Sequence, residues 1–172
     1  MNDNYHFNSA APDEKYVYGA CRPGYPSTRT IASDEVNRWI EFMRAQGIER
    51  VCCLLEDELS WYETNLLDAY SRAFGKKNVC SAPIRDFALA EHRLLTGTIL
   101  PFIENSVREK KPVVVHCSGG YGRTGHVLAA WLVYDRNMSN EEAVKTVIDQ
   151  GREPREAGGI EELHALLDAC RR

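Results

Sequence analysis

Long apolar runs are the first thing this sequence lacks. No stretch approaches the roughly 18 consecutive apolar residues that cross a bilayer, so neither a membrane span nor a membrane partner is expected. Residues 1–15 are polar and carry no apolar signal core, so secretion is not expected. Cys170 has only two residues after it, so a C-terminal prenylation box is not expected. A large positive charge is missing as well. The net charge of −4 disfavours general binding to nucleic acid or acidic lipid. Internal repeats, low-complexity tracts and Pro/Ser-rich linkers are absent, and 172 residues suit one domain with a sizeable core. None of the six cysteines forms a C-x-x-C pair or a Cys/His ligand cluster, so no metal and no cofactor are expected. A chain this long has no need of a disulfide scaffold, and unpaired cysteines point to a reducing, cytoplasmic compartment.

What is present alternates between strand-like and helix-like patterns. Residues 1–14 read as a flexible N-terminal arm, with one folded unit over 15–172. Tyr16–Ala20 predicts a strand, and Arg22-Pro23-Gly24-Tyr25-Pro26 a turn. Ser33 is the expected N-cap of a helix that buries Val36, Trp39, Ile40 and Met43 and closes at Gly47. Ile48–Leu55 is a short apolar run of the buried-strand kind. A helix is expected from Ser60 to Gly75, a strand over Val79–Ile84, a loop over 85–90 and a long helix to about Glu109. Pro112–His116 is the most apolar strand, followed by a Gly-rich turn and a helix over Thr124–Arg136. Ser139 with Glu142 has capping-box spacing, and a last helix is expected over 158–171. This alternation predicts an α/β fold, a single domain with a central mostly parallel sheet flanked by helices. Ligands in such folds bind beyond the carboxyl ends of the strands.

That rule singles out His116-Cys117-Ser118-Gly119-Gly120-Tyr121-Gly122-Arg123-Thr124-Gly125-His126. A phosphate ester presents three non-bridging oxygens. A glycine-rich strand-to-helix turn can aim successive backbone N–H groups at them, and the helix N-terminus adds positive potential. Ser118, Gly119, Gly120, Tyr121, Gly122 and Arg123 are therefore the expected phosphate-binding residues, with the Arg123 fork matching two oxygens at once. The same field favours ionisation of a thiol, so Cys117 is the expected nucleophile. Asp86, in a loop after a strand, is the candidate general acid, and Asp57 is its competitor. Arg152 and Arg155 read as members of a solvated polar loop.

The H-C-x5-R-T-G pattern at His116, Cys117, Arg123, Thr124 and Gly125 resembles the signature of the protein tyrosine and dual-specificity phosphatase superfamily. Gly47-Ile48-Glu49-Arg50-Val51, Asn65-Leu66-Leu67-Asp68-Ala69-Tyr70 and Pro83-Ile84-Arg85-Asp86 are most similar to the small cyclin-dependent-kinase-associated phosphatase group and its microbial relatives. The resemblance implies a metal-free phosphatase catalytic domain over 15–172, working through a phosphocysteine intermediate. Asp86 would be the general acid, His116 would orient the loop, and Thr124 would donate its hydroxyl to the sulfur. One departure is visible: the family often has a proline shortly after the acid, whereas this chain has Phe87-Ala88-Leu89-Ala90. Phosphoinositide phosphatases of the superfamily tend to carry lysine within the loop. The uncharged Ser-Gly-Gly-Tyr-Gly here implies a phosphorylated protein or peptide as partner, on Tyr or Ser/Thr, acted on by a monomer. The alternatives are a phosphate-recognising binding module and a phosphatase of small-molecule or nucleotide phosphates. Sulfur transfer and arsenate reduction fit less well, given Asp86 and the lack of a resolving cysteine nearby in sequence.

Overall fold

A computed structural model describes residues 4–172. Five strands, β1 (Asn8–Ser9), β2 (Val17–Ala20), β3 (Arg50–Cys53), β4 (Val79–Ser81) and β5 (Val113–His116), form one sheet in the order β1-β2-β5-β3-β4. Only β1 runs antiparallel to its neighbour; the β2–β5, β5–β3 and β3–β4 pairings are parallel. This is the mostly parallel α/β fold expected from the alternation of strand and helix patterns.

Both faces of the sheet are covered, which is why its strands read as apolar runs rather than as alternating ones. Val113 and Val115 of β5 and Cys52 of β3 face one core, which they share with α4 (Leu100–Arg108), α5 (Gly122–Arg136), α6 (Asn140–Asp149) and α7 (Ile160–Ala169). Val114, Val51 and Cys53 face the other core, against α1 (Ser33–Ala45) and α2 (Leu66–Phe74). Every residue of α5 from Arg123 to Val133 is buried. A helix that is covered all round needs no polar stripe, and its fixed position aims its N-terminus at the carboxyl end of β5.

Several boundaries differ from the sequence expectations for local reasons. Ser33 lies inside α1, whose N-cap is Ala32 with no side-chain bond. The helix expected from Ser60 begins only at Leu66. Asp57–Trp61 makes a 3-10 turn in which Ser60 Oγ donates to Asp57 O, and Asn65 Oδ1 caps α2 by accepting from Asp68 N. Ser139 does cap α6 in a reciprocal box with Glu142. The helix after residue 90 starts as α3 (His92–Leu94), widens into a π turn at Leu95–Ile99 and continues as α4. Pro101 has no N–H to return to Gly97, and the wider turn ahead of it absorbs the missing bond. The expected last helix is α7, and a 3-10 turn at Pro154–Ala157 precedes it.

The expectation of a flexible arm over 1–14 falls outside the described residues at 1–3. From Asn4 onward the segment is packed. β1 pairs with β2, and Ala10 and Ala11 are buried. A two-residue strand leaves too short a pattern to read from sequence.

Candidate active site

The central place of β5 decides the geometry. The turns that follow β2, β3, β4 and β5 all lie at the same edge of the sheet. They bring Arg22 and Tyr25, Glu58, Asp86 and Cys117 together. The result is a pocket of about 310 Å³ lined by Tyr25, Asp86, Phe87, Cys117, Tyr121 and Arg123, with Ser118, Gly119, Gly122 and Glu156 completing the wall.

The loop that follows β5 is held from behind by its carbonyls. Cys117 O accepts from His116 Nδ1 at 3.2 Å, Ser118 O from Arg22 N at 3.0 Å and Gly119 O from His6 Nδ1 at 2.8 Å. Gly120 O accepts from Arg152 Nη1 at 2.8 Å, and Tyr121 O from Glu153 N at 3.2 Å. Gly122 O accepts from His126 Nδ1 at 3.2 Å. In a trans peptide the C=O and the next N–H point opposite ways. Each carbonyl pinned outward therefore turns the following N–H inward. The N–H groups of residues 118–123 have no protein acceptor among the described residues, so six consecutive donors converge on the space above Cys117. Gly120 makes this curvature possible. Its φ is +82°, and a Cβ there would lie 2.7 Å from Ala20 O, so no larger residue fits.

Arg123 closes the cradle. Its side chain is 2% exposed. Nη1 donates to Ile84 O at 3.0 Å, while Nη2 binds Glu58 Oε1 and lies 3.0 Å from Asp86 Oδ1. Burial works against the guanidinium charge, and Glu58, Cys117 and Asp86 outweigh it. Burial likewise works to raise the Glu58 carboxyl, but Arg123 and the N–H groups of Glu58 and Glu56 hold it below its ordinary value. Sequence reasoning missed Glu58 and weighed Asp57 instead. Asp57 opens the 3-10 turn and does not line the pocket. The available signal was the need of a buried guanidinium for a buried carboxylate.

Asp86 lies in the pocket wall with its side chain 56% exposed, and its Oδ1 also accepts from Phe87 N at 3.0 Å. His116 is fully buried, and burial pushes it down to about 4. The neutral ring donates Nδ1–H to Cys117 O and accepts at Nε2 from Tyr70 Oη at 3.0 Å, a phenol that burial keeps protonated. His126 is also held neutral by burial, pushed down to about 4. It accepts from Ala90 N at 3.0 Å while donating to Gly122 O, which ties the loop carrying Asp86 to the loop after β5.

Two expectations need correction. Thr124 makes no hydrogen bond to Cys117 Sγ; its hydroxyl is buried without a partner. Its methyl fills the space over Gly19, where an added Cβ would meet Cγ2 at 2.8 Å. Arg152 is not solvated but 3% exposed beneath the loop, where backbone carbonyls take its donors. Arg155 does stay at the surface, paired with Glu153. The remaining newcomer is His6, whose ring lies 5.1 Å from that of Tyr121 and 5.6 Å from that of Tyr25 at the pocket mouth. Nothing in the local sequence marks it, because the partners of its ring nitrogens, Gly119 and Tyr121, lie more than 100 positions away.

Residues 24–137 match the family model described as Tc-R-P, polymorphic toxin system, DSP-PTPase phosphatase. Among solved structures, the chain is similar to Tk-PTP in its active form, with 28% identity over 91% of this chain and 92% of that one and a TM-score of 0.69. The fold is shared with kinase associated phosphatase (KAP) carrying a serine in place of its catalytic-site cysteine, at 22% identity over 94% and 89% of the chains and a TM-score of 0.73. It is also shared with P. aeruginosa TpbA in complex with pTyr, at 14% identity over 98% and 93% and a TM-score of 0.60. A 49-residue stretch is 45% identical to Uncharacterized protein MJ0215 of Methanocaldococcus jannaschii. That stretch spans 28% of this chain and 30% of the length of the relative.

Proposed function

Because this chain belongs to the DSP-PTPase phosphatase family, and so is a cysteine-based phosphatase, we propose that its pocket hydrolyses phosphorylated tyrosine, and also serine or threonine, on proteins through a phosphocysteine intermediate. The observation that carries this reading is the row of six inward amides from Ser118 to Arg123, which begins beside a buried cysteine and ends on a buried guanidinium.

The phosphoryl oxygens take the amides and the Arg123 fork. Arg123 exchanges Asp86 for the phosphate, which releases the carboxyl toward the leaving group. Cys117 Sγ attacks phosphorus in line, the P–O ester bond breaks, and Asp86 gives its proton to the departing oxygen. Water then attacks the phosphocysteine. Asp86 takes its proton, the S–P bond breaks, and inorganic phosphate leaves with the thiolate restored. The donors are already fixed by outward-pinned carbonyls, so little reorganisation is needed as charge moves. Thr124 retains a proposed part in the second step, which requires its hydroxyl to rotate onto the sulfur.

The substrate reading is supported by the pocket rim. Tyr25, Phe87 and Tyr121 supply aromatic surface that suits a phenyl ring. The loop itself brings no lysine to match additional phosphates. Six thiols without a disulfide among the described residues support action in a reducing compartment such as the cytoplasm. We read the catalytic unit as extending over 15–172, with the packed segment from Asn4 attached to it.

The test is Cys117→Ser assayed on p-nitrophenyl phosphate and on phosphate binding. Turnover is expected to disappear while phosphate still binds. A variant that turns over at the parent rate rejects the nucleophile.

A further inference from the structure

Buried guanidinium groups are ordinarily matched by a carboxylate, since an unpaired charge out of water is strongly disfavoured. Four arginines here are buried: Arg22, Arg50, Arg123 and Arg152. Arg50 is paired with Glu109, and Arg123 with Glu58. For Arg22 and Arg152 no carboxylate lies within ion-pair reach among the described residues, although they are 1% and 3% exposed.

Both touch the same loop. Arg22 Nε donates to Ser118 Oγ at 3.0 Å and its backbone N–H holds Ser118 O, while Nη1 and Nη2 donate to Pro23 O at 3.2 Å and Ser27 O at 2.5 Å and the guanidinium lies 4.9 Å from the centre of the Trp61 ring. Arg152 Nη1 holds Gly120 O, while Nη2 holds Gly19 O at 2.9 Å and His6 O at 2.8 Å, and Nε has no partner. Burial pushes Arg152 down to about 10, which still leaves it charged at neutral pH. The two cations thus fasten the loop at alternate residues, Ser118 and Gly120.

We propose that the counter-ion of Arg22 and Arg152 is the anion in the phosphate loop, namely the Cys117 thiolate at rest and the substrate phosphate once bound, so that both arginines are positioning residues of the reaction. This rests on the cysteine-phosphatase reading above. The other groups facing Cys117 do not supply that balance. Arg123 on α5 already has Glu58, from the turn after β3, and Asp86, from the loop after β4. His116 on β5 is neutral, and burial pushes the Cys21 thiol after β2 up to about 12, so it is neutral as well. Glu156, from the 3-10 turn before α7, stands at the exposed rim, where water screens it. Two fixed charges behind the loop therefore favour an anion in front of it. By pinning Gly120 O, the Arg152 guanidinium also keeps the N–H of Tyr121 turned inward, and Arg22 Nε fixes the Ser118 side chain.

The test uses the full chain and two probes, iodoacetate alkylation of Cys117 between pH 5 and 8, read by mass on its peptide, and inhibition by orthovanadate. Arg152→Gln is expected to alkylate about tenfold more slowly at pH 6, the effect of one pH unit on thiolate population, and to approach the parent rate at pH 8. Its orthovanadate inhibition is expected to weaken by about tenfold, from the loss of a fixed charge behind the loop and of the bond that pins Gly120 O. Arg152→Lys, which keeps the charge and loses the fork, is expected to recover the alkylation profile but not the orthovanadate affinity. A purely structural role predicts no such split. The proposal is overturned if Arg152→Gln keeps the parent profile and affinity, or if Arg152→Lys alkylates no faster than Arg152→Gln. Should Arg152→Gln fail to fold, Arg22→Gln carries the same expectation, and a parent-like profile there overturns it equally. A parent chain whose Cys117 does not alkylate at pH 6 would instead strike at the cysteine reading beneath the proposal.

Discussion

Replacing Glu58 by glutamine removes the carboxylate that fixes Arg123. The two side chains are 5% and 2% exposed, so water cannot take over the lost charge. Breaking a buried ion pair from one side costs about 3–5 kcal/mol. Here Arg123 keeps Ile84 O and Asp86, and the glutamine oxygen still accepts a hydrogen bond, so about 2–3 kcal/mol is the reasoned loss. For a chain of this length that is a drop in Tm of about 5–10 °C. Activity should fall further than stability implies. A guanidinium released from its anchor and shifted by about 1 Å is expected to lower kcat/KM by about 10²-fold. The pH dependence has a definite sign. Glu58 is held below its ordinary value in the folded chain, so its contribution is present above the unfolded value of about 4.3 and is lost as pH falls through the folded one. The Tm gap between parent and Glu58→Gln should therefore be full at pH 7 and close as pH drops below about 4. Thermal melts across pH and steady-state kinetics on a phosphotyrosine peptide measure both effects. A variant with unchanged Tm and unchanged kcat/KM would refute the claim that Glu58 positions Arg123.

Two further outcomes follow from the same geometry. Asp86→Asn should lower kcat by about 10²–10³-fold on alkyl phosphates, and by less on p-nitrophenyl phosphate, whose leaving group needs little protonation; an equal loss on both substrates in steady-state assays would remove Asp86 from the acid role. His116 and His126 are held neutral at about 4 against about 6.5 in an unfolded chain, so the unfolded state binds more protons between those values. Stability should be full above pH 6.5 and fall toward pH 4 by about 1.4 kcal/mol per unit for each histidine. His126→Gln, monitored by denaturant titration, should flatten that slope.

The readable parts of the molecule are those whose partners are close along the chain. Cys117, the glycines and Arg123 lie within seven residues on a strand-to-helix turn, and that contiguity makes the cradle legible in the sequence. Ser139 and Glu142 were legible for the same reason. Glu58, His6 and Arg152 act across 65, 113 and 32 positions, and only the sheet order brings them to the loop. A charged residue in a polar segment reads as solvated unless its acceptors are known. The four carbonyls around Arg152 are backbone atoms, which every residue carries alike. The short β1 escaped notice because two residues carry no period. The late start of α2 escaped because Ser60 and Asn65 are both acceptable caps, and only Asn65 reaches an N–H at the required place.

The most direct measurement is to quench the parent chain in alkaline denaturant during turnover of a radiolabelled phosphotyrosine peptide and to map the bound phosphate. Label on the peptide containing Cys117, stable in alkali, lost in mild acid and absent from Cys117→Ser, is the expected result. Product release without any label on that cysteine, or label on another residue, would contradict the account.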